Sequence, residues 1–174
     1  MRHILRQTLI TSAITLYLVY GTIAVAWTDK TENMEEFNSL CKLEPEAQCT
    51  SAVRIGVNAP SVNMKHSSME KMRLDGAKLQ RANFSYAIMQ LINLKGADLM
   101  LANLEGAHLH AANLQKANLM LANMKKVNLV DADLSGANLQ GANIMGAILI
   151  QAKFDGATWT DGRICAKGSI GECR

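Results

Sequence analysis

Few residues in this 174-residue chain could do chemistry, and their spacing narrows what that chemistry is. His108 and His110 flank Leu109, so an extended backbone would send both imidazoles from one face, close enough to share a metal ion. A centre needs more ligands, and the residues twenty positions away (Ile88, Gln90, Asn128 and Val130) supply none. The two histidines are therefore read as surface residues. The four cysteines fall in two pairs of equal spacing, Cys41 with Cys49 and Cys165 with Cys173. Their gaps exceed the roughly two to four residues that separate zinc-binding cysteines, so a zinc site is disfavoured. No Gly-rich phosphate loop, Cys–His nucleophile pair or paired buried carboxylates stand out in the sequence. The chain is read as a non-enzyme without a cofactor or an evident small-molecule substrate.

Whatever the chain does must be positioned by a five-residue rhythm that runs unbroken from Val62 to Asp161. A large apolar residue recurs at Met64, Met69, Leu74, Leu79, Phe84 and onward through Leu149, Phe154 and Trp159, and the residue two before it is usually Ala. An α-helix turns about 100° per residue, so five-residue steps scatter these side chains around its surface. In one flat strand an odd period would flip successive large residues to opposite faces. The apolar spacing alternates two and three. Two apart is one side of an extended segment, and the extra residue must be absorbed by a bend. A chain that bends the same way after every short segment winds into a solenoid with Ala and Leu inside. Asn and Asp crowd the slot before each large residue, and Gly often stands two after it, as bent backbone prefers. Asn63, Asn83, Asn103, Asn123 and Asn143 mark a slower beat of twenty, or four segments per coil. That column is read as a structural ladder of amides.

Tandem Ala-(Asp/Asn)-Leu-x-x closely resembles the pentapeptide-repeat proteins across residues 62–161. The resemblance implies an all-β solenoid, a right-handed quadrilateral parallel β-helix of about five coils. One branch of the family mimics duplex DNA and binds type II topoisomerases, giving quinolone resistance. Mimicry of that kind needs an acidic surface, whereas residues 62–161 carry ten Lys or Arg against eight Asp or Glu. Trp159-x-Asp161-Gly162-x-x-Cys165-x-x-x-Ser169-x-Gly171-x-Cys173 resembles the tail of some exported members, and residues 162–174 are read as a C-terminal cap.

Residues 1–26 read as a signal peptide. Arg2 and Arg6 precede an apolar stretch, and Ala24-Val25-Ala26 offers a cleavage site between Ala26 and Trp27. If uncleaved, residues 8–25 would anchor the protein in the inner membrane instead. Cleavage would leave a net charge near +1, which argues against nucleic acid as a partner. The expected localisation is exported, either periplasmic or extracellular, where paired cysteines form disulfides. Three connectivities are open. The reading adopted joins neighbours, Cys41 to Cys49 and Cys165 to Cys173, because solenoid caps lie at opposite ends. Residues 27–61 are expected to form a helical N-terminal cap. Asp29 and Glu32 would cap a first helix carrying Met34, Phe37, Leu40 and Cys41, and a second would run from about Glu46 to Ile55.

Outward slots that are apolar mark a candidate interaction surface. Met100, Leu101, Met120 and Leu121 stack across two coils, and Ile88, Leu91, Val130, Ile148 and Ile150 share another side. The sequence thus points to an exported, non-catalytic structural or protein-interaction module. Its partner is an unknown protein or a second copy, and it meets a membrane only if the N-terminal segment is uncleaved.

Overall fold

A single hydrogen-bond pattern, repeated every five residues, builds the molecule. The computed structural model describes residues 41–174. The residue before each large apolar one forms a single-residue parallel bridge to its counterpart twenty positions on, from Gln48↔Ser68 to Asn138↔Thr158. These residues make four sides. The first carries Gln48, Ser68, Ile88, His108, Asn128 and Ile148, the second begins at Val53, the third at Asn58 and the fourth at Asn63. Twenty-three such positions from Gln48 to Thr158 make just under six coils. With neighbouring strands ~4.8 Å apart, the tower stands roughly 25–30 Å tall.

Through the middle coils both inward residues of each segment are sealed inside, while at the two ends inward residues such as Val57, Ala59, Ile144 and Leu149 are only partly buried. Ala77, Ala82, Ala87 and Ala97 are fully buried, as are Leu94, Leu99, Leu104, Leu109 and Leu114. Each buried Leu contributes about 1.5–3 kcal/mol of transfer free energy. Alanine is the usual residue two earlier because so narrow a coil has little room beside the large side chain, although Met72 and Ile92 fill that slot beside Leu74 and Leu94 and are fully buried.

The corners are β-turns closed by hydrogen bonds such as Ala97 N–H to the Leu94 carbonyl, 3.0 Å. Their third residue has φ between 54° and 71° at every corner from Glu46 to Gly156, the positive value that a type II turn requires. Glycine adopts it freely, yet fifteen of these corners hold other residues, Leu91, Leu101 and Leu121 among them. The left-handed region costs an L-residue about 1–2 kcal/mol. Hydrogen bonds to the neighbouring coil hold it there, as with Leu101 N–H to the Met120 carbonyl, 2.9 Å.

The expected second helix, Glu46 to Ile55, is absent. Gln48 and Val53 bridge to Ser68 and Arg73, and the pentad geometry extends back through this segment. Gly56, just past the expected helix, is a corner residue at φ +64°. Pro60 occupies the second position of the next corner, where a fixed φ is favoured. A ten-residue helix would be marginal alone, whereas coil stacking gives its backbone groups partners. Residues 46–61 therefore belong to the β-helix and not to a separate cap. The first expected helix, around residues 29–40, lies outside the described residues, as do the Ala26–Trp27 junction and the apolar residues 8–25. Among the described residues no helix is long and apolar enough to cross a membrane.

Beyond Thr160 the chain reverses and lays residues 162–174 over one half of the last coil. Ile164 bridges Thr158 and Ile170 bridges Lys153, both antiparallel. Phe154 and Trp159 meet edge to face at 5.0 Å beneath this tail.

Candidate functional site

The outward columns are where this molecule can meet anything else. The side chains there follow from the five-residue register: one outward residue on each side and two at each corner. The expected apolar group at the corner between the third and fourth sides is present. Leu101 and Leu121 are 41% and 53% exposed, one directly above the other, and Met100 and Met120 lie beside them, half-buried. The next corner in this column is Gly141, where an added Cβ would lie 2.6 Å from the Leu121 Cδ2. Leu121 leans across that gap, so the apolar column continues upward without a side chain at its third level. The same arrangement sets Tyr86 over Gly106, where a Cβ would meet the ring at 2.6 Å. Tyr86 also stacks on His66, ring centroids 5.5 Å apart. Both pairings are visible at an offset of twenty, and reading residues only as inward or outward misses them.

The second expected group is divided. Ile88 and Leu91 are exposed on the third coil, and Ile148 and Ile150 on the last, with Val130 half-buried nearby. His108 and His110 stand exposed between them. His110 Nε2 lies 3.4 Å from Asp131 Oδ2, a carboxylate one residue beyond the neighbours weighed from the sequence. Among the described residues no cluster of three His, Cys, Asp or Glu could hold a metal ion.

Cys41 is joined to Cys49 and Cys165 to Cys173. Cys49 occupies an inward slot of the first coil and is buried, so that bridge ties the preceding chain into the coil and does not link two helices. Arg54, the one charge in an inward slot, donates from Nη2 to the Cys41 carbonyl at 3.1 Å. The tail bridge closes the loop turned by Lys167 and Gly168, whose N–H donates to Asp155 Oδ1 at 2.8 Å.

Polar columns serve the fold. From Asn63 onward the Asn or Asp of this slot accepts the N–H two residues on, as Asn113 Oδ1 does from Gln115 at 3.1 Å. Asn83 Nδ2 donates to Asn63 Oδ1 at 3.1 Å, and Asn123 to Asn103 at 3.0 Å, rungs of the expected amide ladder. Asp133 is held by three hydrogen bonds. Burial works to raise its pKa. The Ser135 hydroxyl at 2.6 Å, the Gln115 amide at 2.6 Å, the Ser135 N–H at 2.9 Å and the Lys153 charge outweigh it and hold the carboxyl below its ordinary value.

This geometry defines a class, the repeat solenoids whose sides are set by pentads, and the comparisons place the chain within it. The model for pentapeptide repeats matches in eight copies over residues 61–99, 87–125, 102–141 and 122–158. The chain belongs to the pentapeptide-repeat family, and its tower is the family's right-handed quadrilateral β-helix. The crystal structure of the pentapeptide repeat protein Rfr23 from the cyanobacterium Cyanothece 51142 is similar at 26% identity, with a TM-score of 0.50. That match covers 64% of this chain and 90% of Rfr23. HetL, a pentapeptide repeat protein involved in heterocyst differentiation regulation in Nostoc, is 32% identical over 68% of this chain and 64% of its own, with a TM-score of 0.37. A pentapeptide repeat protein of the Arabidopsis thaliana thylakoid lumen is 25% identical over 60% of this chain and 81% of its own, TM-score 0.43. No curated protein matches the chain.

Proposed function

We propose that this protein is an exported, non-catalytic interaction module that holds an apolar corner rigid for a protein partner. The observation that carries this reading is the column of Leu101 and Leu121 with Met100 and Met120 beside them. Contiguous apolar surface on a soluble scaffold marks contact sites, and this column sits on backbone fixed from both neighbouring coils, so little ordering cost remains to be met on binding. Two disulfides support an oxidising compartment, in keeping with the signal-like residues 1–26. The mixed charge of the repeat favours a protein partner over a DNA-mimic role at a topoisomerase.

The test is a cross-linking capture from the native cell envelope with the wild-type chain and with Leu101→Asp/Leu121→Asp. Both side chains face outward, so the melting temperature should stay within a few degrees while the captured partner is lost. Equal capture by both proteins would overturn the assignment of this corner.

A further inference from the structure

Leu101 and Leu121 are the middle of a longer vertical stripe whose two ends differ. The corners between the third and fourth sides stack in the order Arg81, Leu101, Leu121, Gly141 and Asp161. Each level is tied to the next through the backbone: Arg81 N–H to the Met100 carbonyl at 2.9 Å, Leu101 to Met120 at 2.9 Å, Leu121 to Gln140 at 3.0 Å and Gly141 to Thr160 at 2.9 Å. Half-buried amides border the stripe, Asn118 and Asn138 on the third side, Asn103 and Asn123 on the fourth. An apolar centre inside a polar rim is the usual anatomy of a contact patch.

The foot of the stripe is cationic. Arg81 stands directly below Leu101 and Lys78 beside it, both exposed, and neither pairs with a carboxylate among the described residues. Asp98, one level above Lys78, is turned to other donors: Gln80 Nε2 at 2.6 Å, Asn118 Nδ2 at 2.9 Å and Met100 N–H at 3.2 Å. At the head the sign changes to Asp161, which pairs with Arg163 at 3.5 Å.

Spacing selects what can lie along this stripe. Its levels are ~4.8 Å apart. Successive turns of an α-helix present side chains ~5.4 Å apart, and alternate residues of a strand ~6.7 Å apart. Over the two levels from Arg81 to Leu121 a helix drifts by about 1.2 Å and a strand by about 4 Å.

We propose that an amphipathic α-helix of a partner protein lies along this corner, parallel to the tower axis, with an Asp or Glu in its carboxy-terminal turn beside Lys78 and Arg81. The two preceding turns set apolar residues against Leu101 and Leu121. The recognised segment therefore reads apolar, apolar, acidic in steps of three or four residues. The helix dipole agrees at both ends, since its negative end meets the free cations and its positive end points to Asp161. The proposal rests on the reading of this corner as a contact site and names the chemistry that fills it.

Site-specific photocross-linking of the full-length chain in the native cell envelope provides the test. Gln140→benzoylphenylalanine, Leu121→benzoylphenylalanine and Leu101→benzoylphenylalanine are made singly, and mass spectrometry locates the partner residue that each captures. Those residues should follow one another along the partner in that order, three or four positions apart. Lys78→Glu/Arg81→Glu should lower the yield from the Leu101 probe about tenfold, while Lys167→Glu on the tail leaves it unchanged. Captured residues two apart, scattered over several segments, in reverse order or belonging to a second copy of this chain would each overturn the helix and leave a contact at this corner. So would a yield indifferent to Lys78→Glu/Arg81→Glu. Failure of all three probes to capture anything would sink the contact reading as well.

Discussion

Gly106 and Gly96 share a backbone conformation but not an environment, and they separate two costs that are usually confounded. A Cβ at Gly96 meets nothing within 4 Å, whereas at Gly106 it meets the Tyr86 ring. Gly96→Ala should cost about 1 kcal/mol, the left-handed backbone alone. Gly106→Ala should cost more, because Tyr86 must swing away and give up its stack on His66. Thermal melts of the two variants against the wild type measure the difference, and equal losses would mean that the ring moves freely. Asp133 gives a second residue-scale test. Its folded pKa is depressed, so its carboxylate stabilises the protein above the unfolded value of about 3.9. That contribution is lost as pH falls through the lower folded value. Asp133→Asn should therefore melt earlier at pH 7, and the gap should close towards pH 3. A gap independent of pH would place the effect in geometry and not in charge.

At the scale of the segment and its cap, the sequence was informative wherever the inward slots were regular. From Val62 onward, Ala and a large apolar residue alternate with no charge inside, and the coil reads directly from that rhythm. The first coil broke the pattern. Its inward slots hold Cys49, Arg54 and Ala59 where large apolar residues stand elsewhere. Pro45 and Gly56 suit helix ends as well as they suit corners, so local propensity favoured a helix that stacking then overrode. The outward columns were legible by counting in twenties. The landing place of residues 162–174 was not, because that segment lies outside the five-residue register. The Cys41–Cys49 bridge, by pinning the least regular coil, should stabilise that coil locally. Cys41→Ala/Cys49→Ala should cost about 2 kcal/mol and speed amide exchange at Ser51 and Gly56, leaving Leu94 and Leu114 protected. Uniform loss of protection would show that the coils melt as one unit.

The whole molecule is close to a stack of equivalent units, each bonded to its neighbours, and stability in such arrays is roughly a sum over units and interfaces. Deleting residues 63–82 joins Val62 to Asn83, removes one coil and keeps every later column in register. The shortened protein should fold with both disulfides and an unchanged circular-dichroism shape, and melt several degrees lower. Failure to fold would mean that the removed coil acts as more than a spacer.

Backbone bonds between coils link residues nineteen to twenty-one apart, whether near the start of the tower or near its end. Closing one loop of this size carries the same modest entropy each time, since that cost grows only with the logarithm of loop length. A growing chain can thus seal each level as soon as the next twenty residues emerge, without waiting for distant sequence. Synthesis order becomes assembly order, and the strap emerges only after the coil it covers.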